Sequence, residues 1–166
     1  MIAFKFIIIA VISYLLGSLN FGVILSRGMK NEDVRESGSG NAGTTNMMRT
    51  YGKTLGLLTI AGDILKVIIA IWLAFRIVSV EELKMTLDSA SDYPQVVLKS
   101  LAGLFAVLGH IFPCYFKFKG GKGVATSGGM VIAIDWRIAL ILLAIFALTI
   151  LITKYVSLGS ILMAIF

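Results

Sequence analysis

Charge is scarce in this sequence. Asp, Glu, Lys and Arg supply 14% of its 166 residues, against about 25% in soluble domains. Hydrophobic residues supply 58%, and mean hydropathy is +0.94. A bias this apolar excludes a disordered chain and a collagen-like fibre. Cysteine is nearly absent as well: Cys114 alone can form no internal bridge, which excludes a disulfide scaffold and leaves the redox compartment undetermined. There is no internal repeat, no low-complexity segment and no stretch that reads as a soluble module. The composition therefore points to an all-α integral membrane protein, with residues 1–166 as one membrane domain.

The apolar runs place the helices. About 20 predominantly apolar residues cross a bilayer, and spans are expected near 2–25, 55–75, 96–116 and 138–153, with a short apolar run at 124–134 and a last one opening at 155–166. The first run is read as a retained span and not a cleaved signal, since Phe21 and Leu25 continue its apolar face past Gly17 and Ser18. The net charge of +6 is orientation, not a nucleic-acid surface. Arg27, Lys30, Arg35, Arg49 and Lys53 crowd the first loop and Lys117, Lys119 and Lys122 the third, while the second sets Arg76 and Lys84 among Glu81, Glu82, Asp88 and Asp92. By the positive-inside rule, the first and third loops are cytoplasmic and the N-terminus lies outside.

Two loops carry residues that anchoring does not require. Glu36 to Arg49 is dense in small and polar groups: its glycines let backbone N–H groups turn toward a ligand, Ser39, Asn41, Thr44, Thr45 and Asn46 add side-chain donors, and Arg49 adds a forked cation. That set suits a phosphate. Gly38, Gly40 and Gly43 also match a dinucleotide fingerprint with Asp63 about 20 residues on, but a membrane helix precedes them where a strand is required. The second loop, Lys117 to Thr126, threads Lys119 and Lys122 between Gly120, Gly121 and Gly123 and leads into an apolar helix whose N-terminus favours an anion. It is not a nucleotide-hydrolysing phosphate loop, because Phe116 and Gly123 stand where glycine and Ser/Thr are needed. Within the spans, Asp63 and Lys66 lie three apart and can pair or support an anion site. His110 can serve as a general base, a phosphate donor or a buried hydrogen-bonding residue. Ser18 and Asn20 either cap a helix or line the same site.

Three stretches resemble the bacterial acyl-phosphate-dependent glycerol-3-phosphate acyltransferases, the PlsY family: Gly17 to Gly22, Gly38 to Asn46 with Arg49, and Gly109 to Pro113 running on to Thr126. Asp63 to Lys66 and Lys154 to Ser157 are similar too. The resemblance implies a seven-helix membrane bundle with its N-terminus outside and its active site on the cytoplasmic face of the bacterial inner membrane. It implies transfer of a fatty acyl group from acyl phosphate to glycerol 3-phosphate, giving 1-acyl-glycerol 3-phosphate and phosphate, with no cofactor, no metal and no obligate protein partner. By motif match Ser39, Asn41, Thr45, Asn46 and Arg49 would hold phosphate groups. Lys119 and Lys122, with Gly120, Gly121 and Gly123, would hold the glycerol phosphate. For the catalytic proton transfer the candidates are His110, with Asp63 and Lys66 in support, and a substrate phosphate oxygen. The family continues into a third motif carrying a His, an Asn and basic residues, whereas this sequence stops at Phe166, within its sixth span. The expectation is a truncated chain with at most traces of activity. The competing reading is a small transporter subunit for an anionic solute; the clustering of ligand-type residues on one face counts against it, since alternating access needs an exit site.

Overall fold

A computed structural model describes residues 2–87 and 93–165, so the acidic loop residues Asp88 and Asp92 and the terminal Phe166 lie outside the described residues. Helix accounts for 82% and no strand occurs among the described residues. In chain order the helices are α1 (Ile2–Gly17), α2 (Phe21–Lys30), α3 (Thr44–Tyr51), α4 (Lys53–Ile77), α5 (Val80–Leu87), α6 (Pro94–Ile111), α7 (Val124–Ile134), α8 (Trp136–Thr153) and α9 (Val156–Ile165). Among the described residues, four stretches are long and apolar enough to cross a membrane: Ile2–Lys30, Lys53–Ile77, Pro94–Phe116 and Trp136–Thr153.

The chain forms two compact units, Met1–Met130 and Val131–Phe166. The first holds both glycine loops. Its helices meet largely through small residues and expose many large apolar ones, the pattern expected where lipid is the outer solvent. On α1, Phe4, Ile7, Val11 and Leu15 form an exposed stripe at helical spacing, while Ile9, Ser13 and Gly17 face inward. On α6, Leu98, Ala102, Ala106 and Gly109 form the inward stripe. The two helices cross without room for side chains: a Cβ on Gly17 would strike the Ala106 backbone, and one on Gly109 would strike the Tyr14 carbonyl. Tyr14 Oη locks the crossing by donating to the Phe112 carbonyl at 2.6 Å. Lys5 pairs with Glu82 at 2.6 Å, tying α5 to the start of α1.

The expected first span is two helices. α1 ends at Gly17, and after Ser18 and Leu19 the Asn20 side chain accepts from Val23 N–H and so caps α2. Ser18 turns its hydroxyl back to the Tyr14 carbonyl at 2.9 Å. Short polar side chains compete with the helical ladder in this way, and the interruption is tolerated at depth because protein covers it. It also leaves the Leu19 carbonyl available to another helix. In the second unit, α8 packs on α9 with Gly159 against Phe146.

Candidate functional site

The first glycine loop is braced by one buried side chain. Asn46, on the first turn of α3, donates both amide hydrogens, to the Val34 and Ser37 carbonyls at 3.0 Å, and accepts from Ser39 N–H at 2.8 Å. Asn41 closes a smaller turn by accepting from Gly43 N–H at 3.1 Å. Beneath them Val23, Val34, Ala42, Met47 and Leu55 make an apolar cluster, with Phe116 of the second loop packed against it. Ser39, Thr45 and Arg49 are exposed above this floor. Of the residues expected to hold phosphate, Asn46 and Asn41 therefore shape the loop, while Ser39, Thr45 and Arg49 present surface donors.

The second loop folds back onto His110. Gly120 N–H donates to the Ile111 carbonyl at 3.1 Å and Gly121 N–H to the His110 carbonyl at 3.2 Å. The approach is so close that a Cβ on Gly120 would strike the His110 carbonyl oxygen, and one on Gly121 would strike His110 Nε2. Only glycine fits at either position. Lys119 and Lys122 are exposed, and Gly123 is buried immediately before α7. Both loops thus run into a helix N-terminus, where unpaired N–H groups and the helix dipole favour an anion.

His110 itself is buried, at 2% exposure. Its Nδ1 lies 2.9 Å from Lys66 Nζ and 3.4 Å from Asp63 Oδ1. Lys66 Nζ also lies 2.8 Å from Asp63 Oδ1 and donates to the Leu19 carbonyl at 2.9 Å. His110 Nδ1 thus faces both Lys66 and Asp63, while Nε2 lies against Gly121. Asp63 and Lys66, 1% and 2% exposed, meet as an ion pair outside hydrogen-bond geometry. The triad joins α4, α6 and the break after α1, and reaches the second loop through His110 rather than through the loop's lysines. With one ring nitrogen on Lys66 and the other against Gly121, His110 has no open face toward the exposed cations.

A contact between the loops escaped the sequence reading. Arg35 Nη1 donates to the Phe116 and Lys119 carbonyls at 2.9 and 2.8 Å, while Nε and Nη2 reach Asp33 Oδ1 and Oδ2 at 2.9 and 2.6 Å. Arg27 adds a bond to Asp33 Oδ2 at 2.8 Å. The Arg27 and Arg35 guanidiniums both lie within 6 Å of the Phe116 ring centroid, at 5.8 and 5.9 Å. Hydrogen bonds from Arg35 hold the Asp33 carboxyl well below the usual carboxylate range, against burial, which pushes it up. The same bonds to Asp33 raise the Arg35 guanidinium. From sequence alone Arg35 counted only as an orientation charge; the one signal was an Asp-x-Arg pair just before the glycines.

The family model described as glycerol-3-phosphate acyltransferase matches residues 7–166. The chain belongs to that family. A glycerol-3-phosphate acyltransferase of Ureaplasma urealyticum serovar 10 is 45% identical over 152 residues, covering 92% of this chain and 60% of the relative. One from Clostridioides difficile strain 630 is 42% identical over 165 residues, covering 95% and 72%. The chain thus spans about 60% of the length of the Ureaplasma relatives. Among solved structures, the crystal structure of PlsY (YgiH), an integral membrane glycerol 3-phosphate acyltransferase, in its glycerol 3-phosphate form, matches with a TM-score of 0.79 at 38% identity, covering 96% of this chain and 72% of that one. Its lysophosphatidic acid form matches at 0.76 and 36%. Likeness at this level to an integral membrane member of the family makes this chain an all-helical integral membrane protein.

Proposed function

We propose that the chain carries the site at which a fatty acyl group passes from acyl phosphate to glycerol 3-phosphate, on the cytoplasmic face of a bacterial inner membrane, releasing 1-acyl-glycerol 3-phosphate and phosphate. The observation that carries this reading is the joining of the two glycine loops through Arg35 and Lys119. It brings a donor-rich loop with Arg49 beside a loop with two exposed lysines, each opening a helix N-terminus. Two anionic substrates repel each other, and cations with pre-aimed N–H groups offset that repulsion while holding the reactants in line.

Ser39, Thr45 and Arg49 bind one phosphate, and Lys119 and Lys122 bind the glycerol phosphate. Asn41 and Asn46 keep the first loop in shape. Acyl phosphate is a mixed anhydride with a good leaving group, so no side-chain nucleophile is needed. The acceptor hydroxyl attacks the carbonyl carbon, the bond from that carbon to the phosphate oxygen breaks, and the hydroxyl proton passes to a phosphate oxygen. His110 is too enclosed to receive it and instead supports the second loop together with Asp63 and Lys66. The acyl tail lies in the apolar groove between α1 and α6, lined by Ile7, Val11, Tyr14, Phe105, Leu108 and Phe112.

The test is phosphate release from palmitoyl phosphate with and without glycerol 3-phosphate, by this chain and by a fusion supplying the third motif that the resemblance implies. Acceptor-dependent release with formation of acylated glycerol phosphate is expected from the fusion. Release independent of the acceptor, or none while labelled glycerol 3-phosphate still binds, defeats the proposal.

A further inference from the structure

We propose that Arg35 is a positioning residue, a clamp that holds the Lys119–Gly123 loop in its anion-binding shape from the neighbouring loop; this rests on reading both loops as phosphate binders. Four of the five guanidinium N–H donors are engaged: two reach Asp33 as a fork, and two reach the Phe116 and Lys119 carbonyls. Ordinary surface ion pairs contribute little. This one differs because Asp33 is 8% exposed at its side chain and the fork is bidentate.

The two carbonyls that Arg35 grips flank a tight place in the chain. Between them Lys117 and Phe118 take φ values of 57° and 56°, left-handed backbone that residues with a side chain adopt reluctantly. Two such residues in succession persist only when something outside the turn holds them. Within the loop, Phe118 N–H reaches the Pro113 carbonyl and Lys119 N–H the Phe116 carbonyl. Arg35 supplies the external hold. It touches neither lysine ammonium; it acts through the backbone that carries Lys119 and leads to Lys122. A lysine at position 35 keeps the charge but cannot reach an Asp33 fork and two carbonyls at once.

The experiment compares Arg35→Gln and Arg35→Lys with the unaltered chain by amide hydrogen exchange in lipid nanodiscs, reading peptides over 116–123 against peptides of α4. Both substitutions are expected to speed exchange over 116–123 about tenfold or more and to leave α4 unchanged. Protection retained over 116–123 in either variant, or loosening that extends equally to α4, overturns the clamp. Asp33→Asn, which keeps the arginine and weakens its fork, is expected to give a smaller acceleration over the same peptides, and serves if the Arg35 variants do not fold. In the fusion, the KM for glycerol 3-phosphate is expected to rise about tenfold with kcat within about threefold. A fall in kcat at unchanged KM counts against the clamp. Absence of turnover in the unaltered fusion defeats the transferase reading, and the exchange result then decides on the clamp alone.

Discussion

Lys66 Nζ and His110 Nδ1 lie 2.9 Å apart, joining the middle of α4 to the C-terminal end of α6. The same ammonium meets Asp63 and the carbonyl left free by the break after α1. A charge at the centre of a membrane helix costs about 2.5–3.5 kcal/mol on insertion scales. Here that cost is offset by three neighbours from three segments, and the outcome is a joint between helices that also backs the second glycine loop.

Removing Lys66 alone leaves Asp63 as a buried, uncompensated charge, so Lys66→Met is expected to destabilise by about 3 kcal/mol or more. The double variant Asp63→Asn/Lys66→Met should cost less than Lys66→Met. Thermal unfolding in detergent measures both, and a double variant no more stable than the single one refutes the pairing.

Asn46→Asp keeps the shape and the acceptor for Ser39 N–H but turns a carboxylate toward the Val34 and Ser37 carbonyls. We expect a loss of about 2 kcal/mol, with exchange rising over 34–41. If Asn46→Asp unfolds at the unaltered temperature, the brace is not what holds the loop.

Arg49→Ala and Lys122→Ala change exposed side chains, so stability should shift by no more than about 0.5 kcal/mol. In the fusion, each should nonetheless abolish acceptor-dependent phosphate release. Unaltered kcat/KM in either variant removes that residue from the site.

Asp33 gives a pH dependence with a definite sign. Its carboxyl titrates lower in the folded protein than in the unfolded chain, because Arg35 holds the charged form. The unfolded state therefore takes up the proton first, and stability rises with pH through that region. The contribution is fully present above the unfolded value of about 4 and is lost as pH falls toward the lower folded value. Unfolding midpoints measured from about pH 6 down to about pH 3 should converge for the unaltered protein and Asp33→Asn. A constant gap between the two curves contradicts the assignment.

Much of the fold was legible because the bilayer writes it into composition. Apolar runs marked where α4, α6 and α8 lie, and the glycine loops stood out because anchoring gives no reason for them. The break at Ser18 to Asn20 was harder to see: two polar residues inside an apolar run signal either a cap or a site, and the Lys66 ammonium that takes the freed Leu19 carbonyl lies 47 residues away. The loop clamp was invisible for a similar reason. Arg35 meets Lys119 across 84 residues, and in a basic loop one arginine looks like the others. His110 attracted a chemical role as the lone histidine; what the sequence could not show is its place, 2% exposed with Nδ1 at Lys66 and Nε2 against Gly121.

The α1 and α6 crossing constrains the order in which the molecule is assembled. Tyr14 and Phe112 are 98 residues apart, so at roughly 5–20 residues per second α1 leaves the ribosome about 5–20 s before the helix that fits its glycine face. During that wait His110 has not been made, and Asp63, three residues away on the same helix, is the partner at hand for Lys66. The early pair is thus suited to carrying Lys66 into the bilayer before the rest of its surroundings exist.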